Sequence, residues 1–181
     1  MKLDLLRHGQ TTAGSGFYGA TDVPLSELGW QQMQQAVKDQ HWQQIVSSPL
    51  SRCLAFAEQL AEQMGAPLSV EPRLRELNFG DWEARTALHI MQADEQALGL
   101  FWQDPYAFTP PNAEPMHAFA ARVDQAIDAL AERFKDQSVL VVTHAGVMRY
   151  LLAKAQGLAP KQLLEVAVEH ASLHSLKWPC S

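Results

Sequence analysis

Cysteine is scarce in this sequence, which contains only Cys53 and Cys180. Two cysteines, one in a helical pattern and one beside the C-terminus, provide neither a disulfide framework nor a cysteine-rich metal site. Long hydrophobic runs are also absent. The apolar run Leu3–Leu6 is interrupted by Asp4 and followed at once by Arg7, so it is too short for a signal peptide or a membrane span. The sequence therefore predicts two free thiols, no membrane association and a cytoplasmic location.

Positive charge is in deficit, since 14 Lys and Arg residues stand against 20 Asp and Glu residues and the formal net charge is -6. Broad contact with nucleic acid or anionic lipid draws on clustered Lys and Arg, so this balance excludes both as principal partners. An anionic small molecule would have to be attracted by a few local cations.

Charged residues make up only 19% of the chain and apolar residues 47%, a balance far from that of disordered segments. A chain of 181 residues is close to the size of one domain. The sequence contains no internal repeat, low-complexity tract or interdomain linker. We therefore expect one domain over residues 1–181 with a sizeable core, and the sequence leaves its oligomeric state open.

Short aliphatic runs alternate with segments of helical periodicity along most of the chain. The expected strands are Leu3–Leu6, Ile45–Ser48, Leu68–Val70 and Val139–Val142. The expected helices begin after Ser26, after Pro49, at Met116 and at Gly146, and Gly65 and Gly157 end two of them. Aliphatic strands joined by helices are typical of a buried parallel sheet, so the predicted fold class is α/β.

Two segments depart from this alternation. Four prolines between Asp104 and Pro115 remove amide donors and predict a loop or lid. Two short alternating stretches, around Val166–Val168 and Leu173–Leu176, predict further strands near the C-terminus.

Two histidines occupy equivalent positions, each close after a predicted strand. Arg7-His8-Gly9 follows the first strand, and His144-Ala145-Gly146 follows the strand that ends at Val142. A single histidine in such a place is more often structural. Ligands bind at the carboxyl ends of the strands in an open α/β sheet, and the fold would bring these two histidines together there. The pair therefore indicates a site.

An arginine and an acidic segment add to this pair. Arg52 lies in the first turn of a predicted helix, where backbone N–H groups and the helix dipole favour an anion and a guanidinium adds bidentate reach. Considered alone, Arg52 would be a solvated surface side chain. The segment Leu74–Glu83 is aromatic and acidic, and it offers a carboxyl group whose protonation state depends on its neighbours.

Together these motifs resemble the histidine phosphatase superfamily, also called the phosphoglycerate mutase-like family. The motifs are Arg7-His8-Gly9, Ser48–Arg52, Glu76 four residues before Gly80, and Thr143-His144-Ala145-Gly146. Arg-His-Gly alone is a weak signal, whereas four motifs in this order are strongly specific. The resemblance implies a three-layer α/β/α sandwich with a mostly parallel central sheet.

The resemblance also implies an enzyme that hydrolyses small phosphomonoesters without a metal or another cofactor. His8 would be the nucleophile that carries the phosphoryl group, and Glu76 would protonate the leaving group. The phosphoryl oxygens would be bound by Arg7, Arg52 and His144. A phosphohistidine intermediate divides a very slow hydrolysis into two easier steps. We further expect a neutral His8 ring, with one nitrogen donating to a backbone carbonyl.

The chain departs from the family pattern at three positions. Gln10 stands where the family usually has Glu, Gly14 replaces an Asn that often touches phosphate, and Ala84 follows Glu83 where Gly is common. None of these changes removes a catalytic group, although the change at Gly14 implies one fewer phosphate contact.

Within the family, Phe17–Ser26 and Arg73–Glu83 are similar to alpha-ribazole phosphatases, which act late in cobalamin synthesis. The same stretches are common in small broad-specificity phosphatases, so alpha-ribazole 5'-phosphate is one of two interpretations. Phosphoglycerate mutases of the family are longer, and the short end after Trp178 favours a phosphatase over a mutase. We expect substrate choice to depend on residues 17–25 and 104–115.

A function of another class is a phosphoryl-binding module without turnover. Such a module has no need of a nucleophile or a proton donor, so His8 together with Glu76 favours the enzyme. His170 and His174 have the spacing of a helical metal pair, but their surroundings look strand-like and favour a structural role. His170 is also a candidate for the pocket mouth. We assign the tryptophans other than Trp82 to packing.

Overall fold

The computed structural model describes residues 1–178, so the predicted free thiol of Cys180 lies outside the described residues. The strands are β1 (Lys2–Arg7), β2 (Gln44–Ser47), β3 (Leu68–Val70), β4 (Ser138–Thr143) and β5 (Leu173–Lys177). The helices are α1 (Glu27–Ala36), α2 (Ser51–Met64), α3 (Ala87–Ala93), α4 (Glu95–Gln103), α5 (Met116–Arg133) and α6 (Ala145–Ala155). Short 3-10 segments lie at Pro72–Leu74, Gly80–Trp82 and Pro160–Glu165.

The strands form one sheet in the order β3-β2-β4-β1-β5. Strand β4 is parallel to both β1 and β2, and β2 is parallel to β3. Strand β5 pairs with β1 in the antiparallel direction at the edge of the sheet. The prediction of a mostly parallel sheet is therefore confirmed.

Helices cover both faces of the sheet because the β1 and β4 side chains alternate between two cores. Leu3, Leu5 and Val141 pack with residues of α5 and α6, such as Phe119 and Met148. Their strand neighbours Leu6, Leu140 and Val142 pack with Met33 of α1 and Phe56 of α2. Burial on both faces explains the uninterrupted aliphatic runs, and the predicted three-layer α/β/α sandwich is confirmed.

Local signals set several of the predicted boundaries. The Ser26 side chain accepts a hydrogen bond from the Gly29 amide and begins α1. Gly65 ends α2 in the left-handed conformation, with φ of 62°, which glycine adopts without steric cost. The prolines at residues 104–115 exclude a regular element, and the chain there contains neither helix nor strand, as predicted.

The strand expected at Val166–Val168 is wrong, since these residues have irregular backbone structure. Val166 and Val168 are buried whereas Ala167 is exposed, which accounts for the alternating pattern. Their carbonyl groups bond to side chains instead of to a neighbouring strand: Arg149 donates to the Val166 oxygen and Arg7 to the Val168 oxygen. The other expected strand, Leu173–Leu176, is confirmed as β5.

Helices α3 and α4 were not expected from the sequence. Thr86 and Asp94 provide the side-chain acceptors that cap their first turns.

Among residues 1–178, no helix combines the length and the apolar character that crossing a membrane requires.

Candidate active site

Three adjacent strands deliver the predicted site residues to one edge of the sheet. Arg7, at the end of β1, is in register with Thr143, at the end of β4, so His8 and His144 follow side by side. Their ring centroids are 5.3 Å apart. Strand β2 lies on the other side of β4 and leads into α2, whose first turn contains Arg52. The fold thus brings these residues together as the spacing of the motifs predicted.

The His8 ring is buried and held in one tautomer. Its Nδ1 lies 2.8 Å from the Gly9 carbonyl oxygen, so Nδ1 donates and the lone pair is on Nε2. Burial, followed by the positive charges of Arg52 and Arg7, lowers the pKa of His8 to about 3. The ring is therefore neutral at physiological pH and donates to a backbone carbonyl, as expected.

Arg52 is buried and most of its donors bond to the protein. Nη2 donates to the carbonyl oxygens of Tyr18 and Gly19 at 3.0 and 2.9 Å, and Nη1 donates to the Thr21 oxygen at 2.9 Å. Nε donates to His144 Nδ1 at 3.3 Å. A guanidinium has five N–H groups, so within residues 1–178 one Nη1 hydrogen remains for a ligand. The bidentate anion contact expected from the sequence is not available in this arrangement.

His144 is fully buried behind the site, and both ring nitrogens have protein partners. Because Nδ1 accepts from Arg52, Nε2 carries the proton and donates to Ser48 Oγ at 2.7 Å. Burial and the nearby charge of Arg52 lower the pKa of His144 well below its ordinary value. Cys53 Sγ lies 3.6 Å from Nε2, and burial raises the pKa of this thiol, so Cys53 is an unreactive neighbour.

Arg7 is held by the chain segment that precedes β5. Nη1 donates to the Val168 oxygen at 2.7 Å, and Nη2 lies 3.1 Å from His170 Nε2. Because arginine only donates, His170 Nε2 accepts and this ring is neutral in the contact. Arg7 Nε is buried without a hydrogen-bond partner in the described part of the chain, so a ligand oxygen could satisfy it.

His170 lines the same cavity as His8, with ring centroids 5.9 Å apart. The sequence favoured a structural role and raised the pocket mouth as a second possibility, and the structure supports the second. His174 lies in β5 and His170 in a turn, so the two do not form a helical metal pair. Within residues 1–178, no group of three or more His, Cys, Asp or Glu side chains is arranged to hold a metal ion.

Glu76 projects a largely buried carboxyl group into the site. Oε2 accepts from the Gly146 amide at 2.9 Å and Oε1 from the Leu77 amide at 3.0 Å. A side chain at position 146 would collide with Glu76, because a Cβ there would lie 2.3 Å from Oε1. Arg122 anchors the backbone of this segment by donating to the carbonyls of Arg73, Arg75 and Glu76. The carboxyl group therefore has a fixed position relative to the helix that follows His144.

Two cavities meet at this edge of the sheet. The first, of about 230 Å³, is lined by Arg7, His8, Arg52, Glu76, Arg149 and His170, among others. The second, of about 410 Å³, is mainly apolar and includes Phe17, Phe79, Phe101 and Trp102. Phe17, Glu76, Phe79 and Arg149 line both. A cation-rich cavity in a chain of net charge -6 supplies the local cations that an anionic substrate requires.

Sequence reasoning missed three of these lining residues, Phe101, Trp102 and Arg149. Arg149 lies one helical turn after Ala145 in α6, and both face the smaller cavity, so the helical spacing could have identified it. Trp102, assigned to packing, is half-exposed at the larger cavity. It belongs to α4, which was not predicted, so no sequence signal placed it near the site.

Backbone conformation accounts for one departure from the family pattern. Ala84 has φ of 60°, in the left-handed region that favours glycine, which explains why Gly is common there. Gly14, with φ of 72°, lines the smaller cavity without offering it a side chain.

The depressed pKa of His8 predicts that acid destabilises the ligand-free protein. His8 takes up a proton near pH 6.5 when unfolded and near pH 3 when folded, so the unfolded state binds more protons in this window. The free energy of unfolding should therefore fall as the pH falls, by up to about 1.4 kcal/mol per pH unit from this group. His144 acts in the same direction. Urea unfolding at about pH 7 and about pH 4.5 measures the loss.

His8→Asn keeps a donor for the Gly9 carbonyl but cannot titrate. We expect its stability loss between the two pH values to be smaller than that of the wild type by about 2–3 kcal/mol. His41→Asn, which changes an exposed histidine, should retain the full loss. Equal losses in the wild type and His8→Asn would contradict the prediction.

Comparison with known proteins connects this geometry to a family. The sequence profile described as histidine phosphatase superfamily (branch 1) matches residues 3–179. An adenosylcobalamin/alpha-ribazole phosphatase of Escherichia coli (strain K12) is 32% identical over 174 residues, which cover 93% of this chain and 86% of the relative. A glucosyl-3-phosphoglycerate phosphatase of Mycolicibacterium vanbaalenii is 35% identical over 169 residues, which cover 87% and 75%.

The fold agrees with these sequence matches. The crystal structure of the alpha-ribazole phosphatase from Shigella flexneri superposes with a TM-score of 0.84 at 27% identity, covering 98% of this chain and 90% of that one. The resemblance stated from the four motifs is confirmed, because the matched region contains all of them. The chain belongs to branch 1 of the histidine phosphatase superfamily.

Proposed function

We propose that this phosphatase transfers the phosphoryl group of a small phosphomonoester to His8 Nε2, and that its substrate is alpha-ribazole 5'-phosphate. The observation that carries the reaction is a buried, neutral His8 with its lone pair on Nε2, in a cavity that also holds Arg7, Arg52 and Glu76. A neutral imidazole is the nucleophile that this chemistry needs.

In the first step, Nε2 of His8 attacks phosphorus and the bond to the leaving-group oxygen breaks. The Glu76 carboxyl group gives its proton to that oxygen, which leaves as an alcohol. Charge on the phosphoryl oxygens is offset by Arg7, whose Nε has no protein partner in residues 1–178, and by the remaining donor of Arg52. Because these donors are already oriented, no energy is needed to reorient them as charge develops in the transition state.

In the second step, a water molecule attacks the phosphorus of phosphohistidine and the P–N bond breaks. The Glu76 carboxylate takes a proton from the water, so the enzyme returns to its starting state and inorganic phosphate leaves. We propose that His144 supports both steps by holding Arg52 Nε and by packing edge-on against His8. Direct contact between His144 and phosphate would require its ring to leave Ser48.

The larger cavity supports an apolar leaving group. Alpha-ribazole is a ribose that carries a dimethylbenzimidazole base, and an aromatic cavity of about 410 Å³ beside Glu76 suits such a base. Relatives named alpha-ribazole phosphatases support the same substrate. A second candidate is an ester that carries a carboxylate, as in glucosyl-3-phosphoglycerate, which Arg149 at the junction of the cavities favours.

We also infer a cytoplasmic enzyme with one domain over residues 1–181, which acts without metal and does not bind nucleic acid. The match of the family profile over residues 3–179 supports the single domain. The net charge of -6 argues against nucleic acid as a partner.

The substrate is tested by phosphate release from alpha-ribazole 5'-phosphate, glucosyl-3-phosphoglycerate, 3-phosphoglycerate and p-nitrophenyl phosphate, each with and without EDTA. We expect kcat/KM for the ribazole ester to exceed that for the two glycerate esters by at least about 10- to 100-fold. EDTA should leave every rate unchanged. Faster hydrolysis of the carboxylate-bearing esters would replace the proposed substrate by the second candidate.

Trp102→Ala tests whether the larger cavity binds the base. Removal of an aromatic side chain that stacks on the base should raise KM for the ribazole ester by about 10-fold and leave KM for glycerol 2-phosphate within about 2-fold. Leu100→Ala is the matched control, because Leu100 is an exposed residue of the same helix that does not line the cavity. An equal effect on both esters would contradict a contact with the base.

A further inference from the structure

Glu83 lies on the opposite side of residues 18–21 from Arg52 and is not part of either cavity lining. Its carboxylate accepts hydrogen bonds from the amides of Gly19, Ala20 and Thr21 at 3.1, 2.8 and 3.1 Å. It also accepts from Thr21 Oγ1 at 2.6 Å and from the Phe79 amide at 3.0 Å. A half-buried carboxylate with this many donors is fixed in place and in turn fixes residues 19–21.

Two peptide groups of this loop connect Glu83 directly to Arg52. The 18–19 peptide donates its N–H to Glu83 and offers the Tyr18 carbonyl to Arg52 Nη2. The 19–20 peptide does the same through the Ala20 amide and the Gly19 carbonyl. An anion at the N–H and a cation at the C=O polarise each peptide in the same sense, so the hydrogen bonds strengthen one another.

The loop backbone is also closely packed against the neighbouring segment. A Cβ at Gly19 would lie 1.7 Å from the Leu77 carbonyl oxygen and 2.7 Å from Glu83 Oε1, so the loop backbone is pressed against residues 77–83. Burial acts to raise the pKa of Glu83, but hydrogen bonds from Thr21, Phe79 and Ala20 outweigh it and hold the pKa below its ordinary value. Glu83 is therefore an anion at neutral pH.

We propose that Glu83 is a positioning residue for phosphoryl transfer, which acts through residues 18–21 to hold the Arg52 guanidinium at the phosphate cavity. The inference rests on the proposed function, because it takes Arg52 as a phosphoryl-binding residue. Within residues 1–178, Arg52 has no carboxylate partner among its hydrogen bonds. The peptide groups between the two residues supply the counter-charge indirectly and leave one guanidinium hydrogen free for the substrate.

Glu83→Gln tests the proposal. Glutamine keeps the size of the side chain, but its NH2 group would face backbone N–H groups of residues 19–21, which are also donors. With p-nitrophenyl phosphate we expect kcat to fall about 10- to 100-fold and KM to change less than about 3-fold, because a misplaced guanidinium weakens transition-state contacts most. The affinity for orthovanadate, which mimics the transition state, should fall with kcat, and the affinity for inorganic phosphate should change little.

The double variant with Arg52→Lys separates positioning from general destabilisation. Lysine has one compact ammonium group and cannot reproduce the contacts that Arg52 makes through Nε, Nη1 and Nη2, so in that background Glu83→Gln should lower kcat less than about 3-fold. Glu71→Gln is the matched control, since Glu71 is also a half-buried carboxylate but bonds to Arg73 outside this network. The kcat of Glu71→Gln should match that of the wild type. Thermal unfolding checks that each variant is folded.

Wild-type kcat in a folded Glu83→Gln protein would overturn the proposal, and so would an equal loss of kcat in both backgrounds. If Glu83→Gln does not fold, Thr21→Val removes the Oγ1 donor at the same size. As a single substitution it should lower kcat by about 3- to 10-fold, and in the Arg52→Lys background it should not. An unchanged kcat of the single variant would overturn the proposal. Activity that survives His8→Asn contradicts the proposed function instead, so the two failures are distinguishable.

Discussion

Replacement of His8 by asparagine is expected to lower kcat by about 10⁴-fold or more for every phosphomonoester. Asparagine can donate to the Gly9 carbonyl as Nδ1 does, so the local hydrogen bond is kept while the nucleophile is lost. The lost step is the attack of Nε2 on phosphorus, for which the chain offers no substitute in the same position. The rate of phosphate release from p-nitrophenyl phosphate measures the effect.

Trapping of the intermediate provides an independent measurement. Wild-type protein mixed with a ³²P-labelled substrate and quenched in alkali should retain label, because phosphohistidine survives base and is lost in acid. His8→Asn should retain none. His41→Asn, the exposed control, should keep both full activity and labelling. Labelling of the His8→Asn protein would place the phosphoryl group on another residue and contradict the mechanism.

Glu76→Gln is expected to affect substrates according to their leaving groups. An alkyl phosphate leaves poorly without a proton, so its kcat/KM should fall by about 10²- to 10⁴-fold. The nitrophenolate ion needs no proton, so the first turnover of p-nitrophenyl phosphate should remain fast. The second step still requires a base, and the variant should therefore accumulate phosphohistidine. Rapid mixing should show a burst of about one equivalent of nitrophenol followed by slow turnover.

The control for this variant is Glu62→Gln, which changes an exposed carboxylate of α2. It should show wild-type rates with both substrates. Equal losses for alkyl and nitrophenyl esters, with no burst, would mean that Glu76 orders the cavity without transferring a proton. Its contacts with the Gly146 and Leu77 amides can be kept by the glutamine oxygen only in part, so the leaving-group comparison is more informative than the size of the loss.

Strands and long helices were predictable because their apolar periodicity is strong, as in β4 and α5. The missed helices α3 and α4 are short, and their N-cap residues, Thr86 and Asp94, are residue types that also occur often in turns. At Val166–Val168 the error is the opposite one: the alternating pattern predicted a strand, and the structure has none there. Two arginine side chains occupy its carbonyls, and this contact between distant parts of the chain cannot be read from local sequence.

At the candidate site, too, some features could be predicted from the sequence and others could not. Arg7, His8 and His144 could be placed at the candidate site because their motifs lie at strand ends, and Glu76 was placed there by the family resemblance. Their hydrogen-bond partners could not be predicted. Arg52 was expected to bind an anion with two donors, and the structure shows that most of its donors bond to residues 18–21 and His144. Burial depends on which loop covers a side chain, and sequence spacing carries no information on that choice.

The position of β1 in the sheet has a consequence for folding during synthesis. Within residues 1–178, β1 pairs with β4 and β5, at residues 138–143 and 173–177, which are synthesised long after β1, whereas β2 and β3 can pair early. Pairing between such distant segments is slow, and an unpaired aliphatic strand is prone to aggregation in the meantime. During synthesis β1 therefore stays unpaired until these later segments have emerged, and recovery of catalytic activity after unfolding reports a late event in refolding.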